Sequence, residues 1–239
     1  MTKEQAFLLM TLSVATIGFS IWYNLSSSLR LPVRYQVMYD SNPPYVQRIF
    51  RRRMYGLIIY ALIPLYIISC TKWLKGFSLN EIQLFNWSNN AGMYTLIGVA
   101  IMVFASFTTA PRQTSLEQYP DVRIRFWEPR ILILSSIWWI LYIAAFEFFY
   151  RGLLLQSFLI NFNGNVPLAI AASTSLYCLS QYFRRNRVSF FTIIYGIVAC
   201  YITLKTESIF PTIITHLTLS LLMEWLSILH HREMYVRRT

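Results

Sequence analysis

The stretch Ala144-Ala145-Phe146-Glu147-Phe148-Phe149-Tyr150-Arg151-Gly152-Leu153 places two opposite charges four residues apart inside an otherwise apolar run. Gly152 is the only helix breaker from Ile131 to about Ile160, so the spacing predicts one long helix with Glu147 and Arg151 on a shared face. A helix of that length covers roughly 45 Å at ~1.5 Å per residue, more than a bilayer's hydrocarbon requires. An ionisable side chain at membrane depth is costly unless it is paired or faces a wet cavity. The pair therefore reads either as part of a functional site or as an ion pair that locks two helices together.

Working outward, the rest of the chain has the composition of a membrane protein. Hydrophobic residues make up 56% of the 239 residues and charged residues 13%, with a mean hydropathy of +0.45, whereas soluble domains carry about a quarter charged residues. Seven apolar runs, at about 5–26, 54–71, 91–109, 131–152, 166–182, 189–204 and 208–229, approach the ~20 residues needed to span hydrocarbon. The expected fold is an all-α polytopic membrane helix bundle of about seven transmembrane helices, forming one integral membrane domain over 1–239. The polar stretches 27–53 and 110–130 read as short basic connections.

The net charge of +11 is spread over these connections and not gathered on one soluble face, which argues against nucleic acid and for anionic lipid. Arg30, Arg34, Arg48, Arg51, Arg52 and Arg53 precede the second run, and Arg112, Arg123, Arg125 and Arg130 precede the fourth. Arg184, Arg185 and Arg187 follow the fifth, and Arg232, Arg237 and Arg238 follow the seventh. The alternate connections hold only Lys3, Lys72, Lys75 and Lys205. Such asymmetry predicts an outside amino terminus and a cytoplasmic carboxyl terminus. The triplet Arg51-Arg52-Arg53 reads as lipid-attracting or as a topology signal, with no further role. The first run is too long for a signal-peptide core and reads as an anchor.

Cys70, Cys178 and Cys200 are odd in number and unpaired in spacing, which speaks for apolar fillers over a disulfide framework or a metal site. No cofactor is indicated. Only Glu147, His216 and Glu224 are intramembrane ligand candidates, too few for a convincing zinc centre, and the His230-His231 pair reads as solvated tail. In the last run His216, Ser220 and Glu224 follow one another at helical spacing, forming a polar stripe expected to face the bundle interior. A lone buried His is more often a structural donor than a catalyst. Two polar stripes on two helices point to a shared cavity.

These residues also resemble a known family. Glu147 to Gly152, followed by Leu153-Leu154-Leu155, is similar to the Glu-Glu-x-x-x-Arg-Gly signature of the CPBP intramembrane endopeptidases, also called the Abi or CAAX prenyl protease type II family. Ser208 to His216 resembles the closing motif, in which an apolar lead with Pro precedes His-x-x-x-Asn. Thr174 to Gln181, with Tyr177, occupies the place of the Phe-x-x-x-His motif. The resemblance covers about residues 131–220 and implies a CPBP-like core over about 131–229. It further implies that the water-activating Glu corresponds to Phe146, its assisting His to Gln181, and the oxyanion-stabilising pair to His216 and Ser220.

Phe has no proton acceptor and Gln has no titratable group near neutral pH, so the water-activating half of the motif is missing. The expectation is a degenerate member, a pseudoenzyme acting as a binding or scaffolding subunit for a membrane protein, a lipidated peptide or a lipid. Its remnant catalytic residues would be Glu147, Arg151 and His216, and Gln181, Ser220, Glu224 and Tyr177 would line the cavity. The alternative is a divergent, active intramembrane endopeptidase cutting a lipidated or membrane-embedded peptide. A weaker third reading, a transporter with a proton relay, lacks repeats and broken helices. The bacterial inner membrane is the expected location.

Overall fold

The computed structural model describes residues 2–27, 43–70, 85, 87–112, 119–185, 190–231 and 234–236. Arg30, Arg34, Lys72, Lys75, Arg187, Arg232, Arg237 and Arg238, used above to argue topology, lie outside the described residues.

Among the described residues the chain forms seven helical rods. Helix α1 runs through Lys3–Ser13, a π-turn at Val14–Gly18, and Phe19–Ser27. Helix α2 comprises Pro43–Leu57, a π-turn at Ile58–Leu62, and Ile63–Cys70. Helix α3 is Asn89–Thr109, and α4 joins Pro129–Glu147, a π-segment at Phe148–Leu154, and Leu155–Asn161. Helices α5, α6 and α7 are Val166–Arg185, Phe190–Thr206 and Phe210–His230. Local chemistry sets the ends. Thr2 and Gln5 close a capping box on α1, and Ser88 caps α3 through the Ala91 amide. Proline stands in the first turn of α4 and α7, where its missing N–H costs nothing. The α4 rod stops where Asn163 and Gly164 take positive φ, with the Gly164 amide donating back to the Leu159 carbonyl at 2.9 Å.

Among the described residues, five stretches are long and apolar enough to cross a membrane: Lys3–Leu25, Val46–Cys70, Asn90–Thr109, Pro129–Asn161 and Phe210–His230. Helix α6 is apolar but shorter, and α5 interrupts its apolar face with Ser173, Thr174, Ser175, Ser180 and Gln181. The all-α bundle stands, with one small addition. Phe126–Trp127 pairs in parallel with Tyr235–Val236, tying the segment before α4 to the chain's end.

One correction concerns the connection between the first and second runs. Helix α2 begins at Pro43, so Arg48, Arg51, Arg52 and Arg53 stand on a helix and not in a loop. No breaker separates Pro44 from the apolar run, and the polar turns simply continue it. Close approaches fix how the rods meet. A Cβ on Gly56 of α2 would collide with the Tyr142 ring of α4, and one on Gly98 of α3 would lie 2.6 Å from Thr215 Oγ1 of α7. Small residues at such contacts let membrane helices pack backbone to backbone.

Candidate functional site

Helix α4 carries Phe146 and Glu147 at the point where its α-helical hydrogen bonding widens into the π-segment Phe148–Leu154. A π-bulge inside an α-helix frequently marks a functional site. Glu147 and Arg151 are both fully buried, and Arg151 Nε lies 3.4 Å from Glu147 Oε2. The Arg151 guanidinium sits 4.4 Å from the centre of the Tyr177 ring. Its charge is thus shared between a carboxylate and an aromatic face. Neither group reaches water, so both depend on each other and on these neighbours.

Glu147 has a second partner. His216 of α7 brings Nδ1 to 2.5 Å from Glu147 Oε1, and the Tyr195 hydroxyl of α6 donates to the same oxygen at 3.4 Å. The charge pair on one helix therefore anchors two others. His216 is part-exposed at 17%, and it faces a cavity of about 60 Å³. That is room for roughly four waters or the tip of an apolar chain. Gln181 and Tyr177 of α5, Ser220 of α7 and Phe146 of α4 share the lining with His216. Helix α4 is 33 residues in one rod, and side chains of α5 and α7 both reach the cavity beside its middle.

The lining is aromatic with a few neutral hydrogen-bonding groups. Tyr119, Trp139, Tyr142, Phe191 and Tyr195 complete much of the wall. Phe146 is 3% exposed and packs against Tyr150 at 4.5 Å, Tyr60 at 5.4 Å and Tyr177 at 5.8 Å between ring centres. Ser220 is fully buried and its Oγ has no hydrogen-bond partner among the described residues. Among the described residues, no carboxylate lines the cavity. Residues 128–222 match the family model described as Type II CAAX prenyl endopeptidase Rce1-like.

That stretch is similar to the Rce1-like family.

Neither a curated protein nor a solved structure matches the chain. The Rce1-like segment takes in Glu147, Arg151, Tyr177, Gln181, His216 and Ser220, all of which the fold gathers in or beside the cavity.

Glu224 departs from the expectation. It does not line this cavity with His216 and Ser220. Its carboxylate instead sits in a second buried cluster, accepting from Trp139 Nε1 at 2.5 Å and from the Ser135 hydroxyl, with Arg53 Nη2 at 3.2 Å. Arg53 is 2% exposed and also reaches Asp121 Oδ2 at 3.3 Å and the Ser135 carbonyl at 2.8 Å. Eight residues separate His216 from Glu224, about two helical turns, so the stripe runs out of one polar environment into another.

Arg53, Asp121, Ser135 and Trp139 were not singled out from the sequence. A usable signal was present. With only ten acidic residues in the chain, an intramembrane Glu224 calls for a nearby cation, and the Arg triplet at the start of α2 is a supply. The three cysteines are free thiols on separate helices, Cys70 exposed, Cys178 half-buried and Cys200 buried.

Proposed function

We propose that this Rce1-like membrane protein binds a lipid tail or a membrane-embedded peptide segment in its cavity without hydrolysing it, and serves a membrane protein partner as a subunit. One observation carries the reading: among the described residues, no carboxylate faces the cavity. Amide hydrolysis needs a base within reach of water, a contribution of about 10²- to 10⁴-fold. The wall position corresponding to the family's water-activating Glu carries Phe146, whose ring is packed among tyrosines. Gln181 stands where the assisting His would be. Glu147 is committed to Arg151 and His216.

A specific contact favours a second reading, an active but divergent endopeptidase. With Nδ1 held by Glu147, the His216 ring has the carboxylate-oriented arrangement that primes an imidazole as a base through Nε2. One experiment separates the two. The purified protein in liposomes is given an internally quenched lipidated peptide, beside His216→Ala and the double variant Phe146→Glu/Gln181→His. The binding reading expects no product from the wild type above His216→Ala, with hydrolysis gained only in the double variant. Product from the wild type that disappears in His216→Ala establishes the endopeptidase.

The arginine-bearing ends of the helices support a cytoplasmic placement for the start of α2, the start of α4 and the end of α5. On this reading the amino terminus lies outside, and the proposed location is a bacterial inner membrane.

A further inference from the structure

The two buried polar sites share one side chain, Trp139. Its indole forms part of the cavity wall, and its Nε1–H donates to Glu224 in the second cluster at 2.5 Å. The Arg53 guanidinium lies 4.1 Å from the centre of the same ring. Ser135, one turn earlier on α4, donates to the other Glu224 oxygen and accepts from Arg53 at 2.9 Å. The ring also packs against Tyr119 at 6.3 Å and Tyr142 at 6.1 Å, both of which line the cavity.

The lining is not evenly buried. Trp139 is 2% exposed, whereas Phe191, at the start of α6, is 46% exposed, and Thr192 and Leu219 are part-exposed. Phe191 and Thr192 of α6 and Leu219 of α7 thus form the exposed side of the lining, and the tethered indole of α4 belongs to its buried side. His216, Gln181 and Ser220 supply hydrogen bonding along the way.

We propose that Trp139 is the stop that fixes how long a hydrocarbon chain the cavity admits, with Glu224 and Arg53 as positioning residues that hold the indole in place. The ligand class is a single apolar chain attached to a neutral hydrogen-bonding head. This rests on the binding role proposed above. A tryptophan held at its N–H, over its face and at its edges cannot swing aside as an untethered side chain would. Two groups outside the Rce1-like segment, Arg53 and Glu224, would then set the specificity of a cavity inside it.

The test uses photo-crosslinking in liposomes. N-alkyl acetamides with butyl, octyl and dodecyl chains, each ending in a diazirine, are compared with N-acetyl amino acid amides bearing side chains of matching lengths. Whichever series labels identifies the source of the chain, lipid or peptide, and the same cut-off is expected in it. The wild type should label cavity residues with the butyl probe at least about tenfold more than with the dodecyl probe. Trp139→Ala should remove that preference and direct the dodecyl label to Ser135 and its neighbours. Glu224→Gln keeps an acceptor for the indole and should keep the cut-off. The double variant Arg53→Met/Glu224→Leu removes the tether together with its counter-charge, leaving the Asp121 carboxylate as the one former Arg53 partner still charged, and, with folding verified by far-UV circular dichroism, should lose the cut-off.

Equal labelling by all lengths in the wild type, or an unchanged cut-off in both Trp139→Ala and the double variant, overturns the stop while leaving the binding role intact. Absence of cavity labelling by every probe overturns the binding role and the stop with it.

Discussion

Glu147 and His216, 69 residues apart in the chain, meet with Oε1 and Nδ1 at 2.5 Å. The contact joins the middle of α4 to the first half of α7, and Tyr195 adds α6 through a hydroxyl on the same oxygen. Three helices are thus fixed by one carboxylate that also neutralises Arg151.

Removing that carboxylate is expected to be expensive. Glu147→Leu leaves Arg151 buried without its counter-charge and should cost about 3–5 kcal/mol. The double variant Glu147→Leu/Arg151→Met should recover most of the loss, because both desolvation penalties disappear together. Unfolding by SDS titration in mixed micelles measures both. Recovery confined to less than a quarter of the single-variant loss would rule out the charge pair as the cause.

The Arg triplet should separate sharply by residue. Arg53→Met strips the cation from Asp121 and Glu224 and should destabilise by about 3–5 kcal/mol. Arg51 is exposed, and Arg51→Ala should stay within about 0.5 kcal/mol. The same titration, run on both, decides whether burial or mere charge matters in this segment.

Glycine contacts give a third expectation. Gly98→Ala drives a methyl against Thr215 at the α3 to α7 contact and should cost about 1–3 kcal/mol. A Cβ on Gly92 of the same helix meets nothing within 4 Å, so Gly92→Ala should be neutral or stabilising by up to about 1 kcal/mol. Thermal unfolding in detergent, followed by far-UV circular dichroism, provides the comparison. A destabilised Gly92→Ala would mean that helix packing is not what distinguishes the two sites.

At the cavity wall, Phe146→Ala removes a ring seated among Tyr60, Tyr142, Tyr150 and Tyr177 and should cost about 3–5 kcal/mol. Phe146→Leu, closer in volume, should cost less than half as much. Equal losses would show that the ring's own contacts, and not the volume it fills, set the cost.

Helix number and the gathering of Glu147, Arg151, His216, Gln181 and Ser220 were legible because they follow from hydrophobic runs, i,i+4 spacing and motif order. All of that information is local or nearly so. Arg53 was opaque: three consecutive arginines look alike in a string, and only the rotation of α2 against α4 decides which one turns inward. Glu224 was misplaced for a related reason. Helical spacing puts it on the His216 stripe, but spacing does not reveal that Trp139 and Ser135 stand between the two environments. The segment 119–127, which supplies Asp121 and Tyr119, has no periodicity to read, so its part in the cavity and in the Arg53 cluster emerges only from the fold.

The π-segment of α4 has a consequence for the gene as well as the protein. A π-bulge amounts to one extra residue wound into an α-helix, so the two halves of the 33-residue rod are about 100° out of phase with a regular α-helix. Deleting one codon within 148–150 would let the rod close into uninterrupted α-helix with every backbone bond satisfied. It would leave the far half of the rod facing as it does now, while bringing Arg151 from four residues after Glu147 to three and so changing the spacing that pairs them. In this span the count of residues, as much as their identity, carries the information that aligns the buried charges.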